Sequence, residues 1–387
     1  MATVTTLPSG TRSEQRGLTY WMDRVLKELA VVRHSPDADT VHDLRVAIRR
    51  CRSIASVMEE VDPHPAWLQM RKVARKLFRG LGALRDAQVM EDWVKHLGAE
   101  SDPLRVELLA MFEGKKQQLR EEALYVAEHF DEKAWKRLSR TLRQRARLVP
   151  PGGLVAECFA LERYQEAKEL HANALRTEKA KPWHALRIGL KRFRYTVENL
   201  LPEHHTAWSD KLKRVQDLLG DVHDLDVLAG VVKEASSSTL PSREAWLHTI
   251  EQERHERIEK YWQLTLGKTS LWNEWRHALP HGERLEAASM ARLRATARAA
   301  DAHSRRTSQT SHLAVALFQK LGRVKAGPVF SDPVMLRVLC AAAQMHGVSA
   351  SDAPKSPQKA ARRFLLGLTI PPGWSTEEWD LVAWSVR

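Results

Sequence analysis

Three features of the sequence predict an all-α fold built from helical bundles. Apolar residues recur at three- and four-residue intervals over long segments, and alternating Val/Ile/Thr runs bounded by turn residues are nearly absent. Prolines and glycines gather at a few places that divide these segments. Residues 1–13 carry no such pattern and read as a flexible tail. The periodicity then predicts helices over 14–34 and 40–60, closed by Asp62-Pro63 and Pro65, and over 64–80, 84–98, 103–129 and 131–147. Pro150-Pro151-Gly152-Gly153 interrupts the chain. Helices are expected next over 155–179 and 183–201, up to Pro202, then over 204–219 and 223–235. The run Ser236-Ser237-Ser238 ending at Pro241 separates these from helices over 243–267 and 269–279. Further helices follow over 283–301, 304–325, 332–345, 354–368 and 375–387.

A chain of 387 residues is longer than one ordinary core sustains, which is about 250–300 residues. Composition shifts near residue 281, where Ala and Arg become frequent, so 14–280 and 281–387 are expected to be separate units. The first unit is itself double, with halves at 14–149 and 154–280. Val41-His42-Asp43-Leu44-Arg45-Val46-Ala47-Ile48-Arg49-Arg50-Cys51-Arg52 returns 142 residues later as Trp183-His184-Ala185-Leu186-Arg187-Ile188-Gly189-Leu190-Lys191-Arg192-Phe193-Arg194. Leu81-Gly82-Ala83-Leu84-Arg85-Asp86 returns 138 residues later as Leu219-Gly220-Asp221-Val222-His223-Asp224. Two motifs repeated in one order indicate duplication.

Lys and Arg number 61 against 48 Asp and Glu, a net charge of +13. That excess favours polyanions: nucleic acid, inorganic polyphosphate, phosphorylated metabolites or an anionic membrane face. Three scattered cysteines suggest neither a disulfide framework nor a zinc site. No apolar run is long enough to span a membrane and no secretion signal is visible, so a cytoplasmic protein is expected. Neither a P-loop nor a Ser or Cys nucleophile beside a base stands out.

On a helix turning 100° per residue, His42, Arg45, Arg49 and Arg52 share a sector of about 80°, opposite Leu44, Ile48, Cys51 and Ala55. In the second copy His184, Arg187, Lys191 and Arg194 oppose Leu186, Leu190, Phe193 and Val197. The following helix adds Arg71, Lys72, Arg75, Lys76 and Arg79 in one half and Lys211, Lys213 and Arg214 in the other. A single charge run is ordinarily a solvated face. Its return at the same register in both halves argues for a shared anionic ligand, which guanidinium forks can hold bidentately. Each histidine, at a helix start, suits capping or hydrogen bonding more than catalysis. Asp86 and Asp224 are placed to orient arginines or cap helices rather than to hold a metal.

These paired motifs resemble the signature of the CHAD family, the conserved histidine α-helical domain, over roughly residues 14–280. The resemblance implies two pseudo-symmetric antiparallel helical bundles around a basic cavity that binds inorganic polyphosphate with no chemical step. Its implied ligands are His42, Arg45, Arg49, Arg50, Arg52, His184, Arg187, Lys191, Arg192 and Arg194, supported by the next-helix cations. Residues Ser311 to Phe318, Ala341 to Gly347 and Pro372 to Glu378 are similar to the HD-type helical region of exopolyphosphatases. Gly347, Arg306 and Ala361 replace expected ligands there, which makes that region degenerate.

The expected function is therefore non-catalytic polyphosphate binding at polyphosphate granules, without cofactor or metal and with polyphosphate-metabolising proteins as further partners. Nucleic-acid binding and phosphohydrolysis are the alternatives. Tryptophans such as Trp246, Trp262 and Trp272 fall in apolar helix patterns and read as core rather than as base-stacking platforms.

Overall fold

A computed structural model describes residues 17–177, 179–235, 240–300, 304–348 and 355–386; side chains 240 and 304–306, Arg306 among them, fall outside the description. The expected 1–13 tail also lies outside the described residues. The described residues form sixteen α-helices, two short 3-10 turns and no strand. The first half comprises α1 (Leu18–His34), α2 (Ala38–Met58), α3 (Ala66–Gly80), α4 (Gly82–Leu97), α5 (Pro103–Glu128) and α6 (Glu132–Arg145). The second comprises α7 (Leu154–Ala174), α8 (Ala180–Leu200), α9 (Pro202–Glu234), α10 (Leu240–Thr265) and α11 (Leu271–Ala278). After these come α12 (Gly282–Ala300), α13 (Ser304–Arg323), α14 (Pro333–Met345), α15 (Pro357–Leu366) and α16 (Thr376–Ser385).

The repeated first motif lies on helices of equal length, α2 and α8, each of 21 residues. Asp37 fixes where α2 begins: its Oδ1 accepts from the backbone N–H groups of Asp39 and Thr40 at 3.0 and 2.8 Å. Those donors hold its carboxyl below the ordinary Asp value. Each helix then buries the apolar stripe read from its sequence. Leu44, Ile48, Cys51 and Ala55 on α2, and Leu186, Leu190, Phe193 and Val197 on α8, are all fully buried. Each large side chain so placed contributes about 1.5–3 kcal/mol.

One expected boundary is corrected. Helices predicted over 204–219 and 223–235 are a single 33-residue α9. Gly220 weakens a helix interior by only about 1 kcal/mol, and Leu212, Val215, Leu219, Val222 and Leu225 continue one buried stripe through it. The matching place in the first half does break, at Leu81 between α3 and α4. A methyl on Gly80 would come within 2.5 Å of Val126 Cγ1, and one on Gly82 within 3.1 Å of Arg45 Nη1. Glycine there lets α5 and a cavity arginine approach the backbone closely.

One large core joins α1–α3 with α6–α8 and the ends of α9 to α11, with Trp67, Trp135, Trp272 and Trp275 fully buried. A smaller core, containing Trp246, lies among α4, α5, α9 and α10, while Trp262 is only partly buried. A third links α12 with α14, α15 and α16. Helix α12 also packs against α7, where Arg284 grips Glu157 at 2.8 and 2.5 Å and Arg292 pairs with buried Glu162. Among the described residues no helix is long and apolar enough to cross a membrane.

Candidate functional site

Burying the apolar stripes of α2 and α8 leaves their cationic stripes to face a cavity of about 810 Å³. Helix α2 contributes His42, Arg45, Arg49 and Arg52, and α8 contributes Arg187, Lys191 and Arg192. Arg71 enters from α3, Arg85 and Asp86 from α4, Arg163 from α7, and His223 and Asp224 from α9. Nine Arg and Lys side chains thus line the cavity against two carboxylates, counted among the described residues.

Aromatic rings and backbone hold several of these guanidinium groups in place. Phe78 carries Arg45 at 4.4 Å and Arg52 at 5.0 Å from its ring centre, and Arg45 Nη1 donates to the Phe78 carbonyl at 3.3 Å. Tyr195 takes Arg49 at 5.8 Å and Arg50 at 5.4 Å. Each such contact is worth about 0.5–2 kcal/mol, more as it is desolvated. Arg45 also lies 3.9 Å from Asp86, so that carboxylate orients an arginine.

The other residues singled out in the sequence lie elsewhere. Arg50 turns from the cavity to Glu198 on α8, and Arg194 is 3.9 Å from the same carboxylate. The position matching Glu198 in the first half is Ser56, so Arg52 keeps its charge for the cavity while its counterpart Arg194 is countered. His184 faces His223, with Nδ1 atoms 3.1 Å apart, and is outside the lining. Arg75 and Arg79 stand outside it too, although their charges act on Arg52. Lys72, Lys76, Lys213 and Arg214 are exposed, and exposed Lys211 pairs with Glu274 at 2.7 Å. Arg71 lines the cavity while paired with Glu59, and Arg192 does so while paired with Glu166.

Several lining residues were not singled out as ligands. Arg85 and His223 occupy matching positions of the second repeated motif, as do Asp86 and Asp224. Their recurrence at one register is a sequence signal of the same kind as that of Arg45 and Arg187. Arg163 and Tyr195 have no such signal, because only the packing of α7 and α8 aims them inward.

Crowding of like charge in a partly dry cavity leaves its mark on titration. Burial first, then neighbouring arginines, draws Arg45, Arg52 and Arg187 below the usual guanidinium value. Burial, reinforced by Arg187 and Arg49, brings Lys191 down to about 7. His42 is lowered by burial and by Arg85 and Arg49, and His223 falls to about 4 through burial and Arg187. Burial lifts Asp224 to about 6 even though Arg187 opposes it. An anion entering this space would relieve the repulsion and favour the charged form of each base.

Of the positions read as HD-type, the Arg306 side chain lies outside the described residues. His346 Nδ1 lies 2.7 Å from the Ala343 carbonyl at the end of α14, and Ala361 is fully buried in the third core.

A family model described as the CHAD domain matches residues 18–233. The match ends within α9, short of the expected limit at 280, so α10 and α11 lie beyond it. Among solved structures, the crystal structure of the CHAD domain from the plant Ricinus communis is 23% identical, with a TM-score of 0.46. That alignment covers 68% of this chain and 90% of that one. No curated protein matches the chain.

Proposed function

The chain belongs to the CHAD domain family, and from that premise we propose that it binds inorganic polyphosphate in the cavity between α2 and α8. The carrying observation is the lining of nine Arg and Lys side chains against two carboxylates. Polyphosphate offers a flexible line of tetrahedral anions without bases to accommodate, and guanidinium forks match its oxygens bidentately. The aromatic lining favours it over single-stranded nucleic acid. Arginines lie 4.4 and 5.0 Å from the Phe78 ring centre and 5.4 and 5.8 Å from that of Tyr195, where they compete with stacked bases.

Binding in this proposal involves no chemical step. The lining repels divalent cations, and its carboxylates Asp86 and Asp224 sit beside Arg45 and Arg187. The protein would gather at polyphosphate granules, which a fluorescent fusion would reveal. Residues 281–387 are proposed as a degenerate HD-type accessory to the same role.

The test is polyphosphate binding by Arg45→Glu with Arg187→Glu, measured by filter titration. The control, Lys211→Glu with Lys213→Glu, makes the same charge change outside the cavity. The cavity variant is expected to lose affinity sharply with its helical content intact, while the control keeps most of it. Equal losses in both would reject the cavity as the site. Wild-type affinity should fall steeply with salt as counterions are released. Single-stranded RNA should compete poorly at physiological salt; effective competition would favour the nucleic-acid reading.

A further inference from the structure

A second, smaller pocket of about 390 Å³ lies among α12, α13 and α14, outside the family match. Arg294 and Arg298 reach it from successive turns of α12. Ser308, Ser311 and His312 line it from α13, and Cys340 and Gln344 from successive turns of α14. No carboxylate is among its described lining residues, and among the described residues neither arginine has an ion-pair partner. Two polar atoms add an independent observation. Ser311 Oγ and Gln344 Oε1 are shielded from solvent and have no hydrogen-bond partner among the described residues, an arrangement proteins usually avoid.

We propose that this pocket binds a small organic phosphate of about nucleotide size. Its phosphoryl group would lie between Arg294 and Arg298, on the side of the pocket lined by Ser308 and His312. Two guanidinium groups one turn apart suit the several oxygens of one tetrahedral phosphate better than a planar carboxylate. The pocket is much larger than a phosphate ion, and Ala297, Val315 and Cys340 give it an apolar side on which a carbon skeleton can rest. A small turn of the Gln344 side chain would bring its shielded Oε1 to a hydroxyl or amino group of that skeleton. The site is chemically distinct from the central cavity, whose nine Arg and Lys side chains spread over about 810 Å³ suit a longer polyanion.

Cys340 provides a reporter within the pocket. It is half-buried there, whereas Cys51 and Cys158 are fully buried in other helices. The full-length protein is alkylated with iodoacetamide, with and without millimolar AMP, ribose 5-phosphate, inorganic phosphate or adenosine, and Cys340 labelling is followed by peptide mass spectrometry. AMP or ribose 5-phosphate is expected to slow labelling at least fivefold and saturably, inorganic phosphate to do so weakly, and adenosine not at all. Arg294→Ala with Arg298→Ala should abolish protection while leaving polyphosphate affinity of the central cavity unchanged. Protection should persist in Arg45→Glu with Arg187→Glu, so failure of the polyphosphate reading would not remove it. No protection by either organic phosphate, equal protection by adenosine, survival of protection in the α12 variant, or its loss in the cavity variant would each overturn the proposal.

Discussion

Glu198 on α8 takes the guanidinium of Arg50 across the contact between α8 and α2, with side chains only 15% and 13% exposed. The same carboxylate lies 3.9 Å from Arg194 and 3.8 Å from His205, so one negative charge holds two arginines of the repeated motifs just outside the cavity lining. Glu198→Gln should therefore strengthen polyphosphate binding and weaken the fold together. A largely buried Arg50 would keep an amide acceptor but lose its counter-charge, a cost of about 1–3 kcal/mol. Urea midpoints and filter titrations on the same preparation check this; affinity falling along with stability would reject the electrostatic account.

Phe78→Leu keeps an apolar side chain between α3 and the cavity but removes the ring beneath Arg45 and Arg52. Polyphosphate affinity should drop by about 1 kcal/mol, roughly fivefold, as both guanidinium groups lose their support. Phe78→Tyr should retain most of it. Titrations in which the Leu variant matches the wild type would show that the ring does not organise the site.

Lys191 gives binding a pH dependence. Its folded value of about 7 lies below the ordinary 10.5, so between these pH values the unfolded chain holds more protons. This group therefore makes the free protein more stable as pH rises from 7 toward 10.5, and its full destabilising effect is felt below pH 7. A bound polyanion favours the ammonium form, so above pH 7 binding should take up a proton, and affinity should fall by at most about tenfold per pH unit. Calorimetry at pH 8 in two buffers of different ionisation enthalpy measures that proton. Identical heats in the two buffers, or uptake that survives in Lys191→Met, would contradict it.

Arg292 joins α12 to the repeat unit. Its side chain is 3% exposed, pairs with Glu162 at 8% exposure, lies 3.4 Å from Glu60 and stacks on Phe159 at 4.5 Å. Arg292→Met should cost about 3–5 kcal/mol because it strands a buried carboxylate, and adding Glu162→Met should restore much of the loss. Chemical denaturation of the two variants distinguishes this from simple packing loss, in which the second substitution would make matters worse.

Much of the site is legible in the order of residues alone. The spacing of His42, Arg45, Arg49 and Arg52 against Leu44, Ile48, Cys51 and Ala55 depends only on helical periodicity, and the recurrence at Arg187 and Lys191 marks the cationic face twice. The boundary expected at Leu219-Gly220 fails because the stripe buried on either side outweighs one glycine's helix penalty.

Which charges remain available to a ligand is a different kind of question. Arg52 and Arg194 occupy matching positions of one motif, yet Ser56 leaves the first facing the cavity while Glu198 counters the second. Lys211 is claimed by Glu274 from α11, 63 residues away in the chain, and Arg163, which reaches the cavity from a helix with no motif at all, is itself claimed by Glu60. A helix face follows from the order of residues along one segment, because its geometry repeats every few residues. The counter-charge of each side chain comes from distant segments, and only the packing of the helices brings the two within a few ångströms, where Coulomb attraction in a partly dry interior decides the pairing.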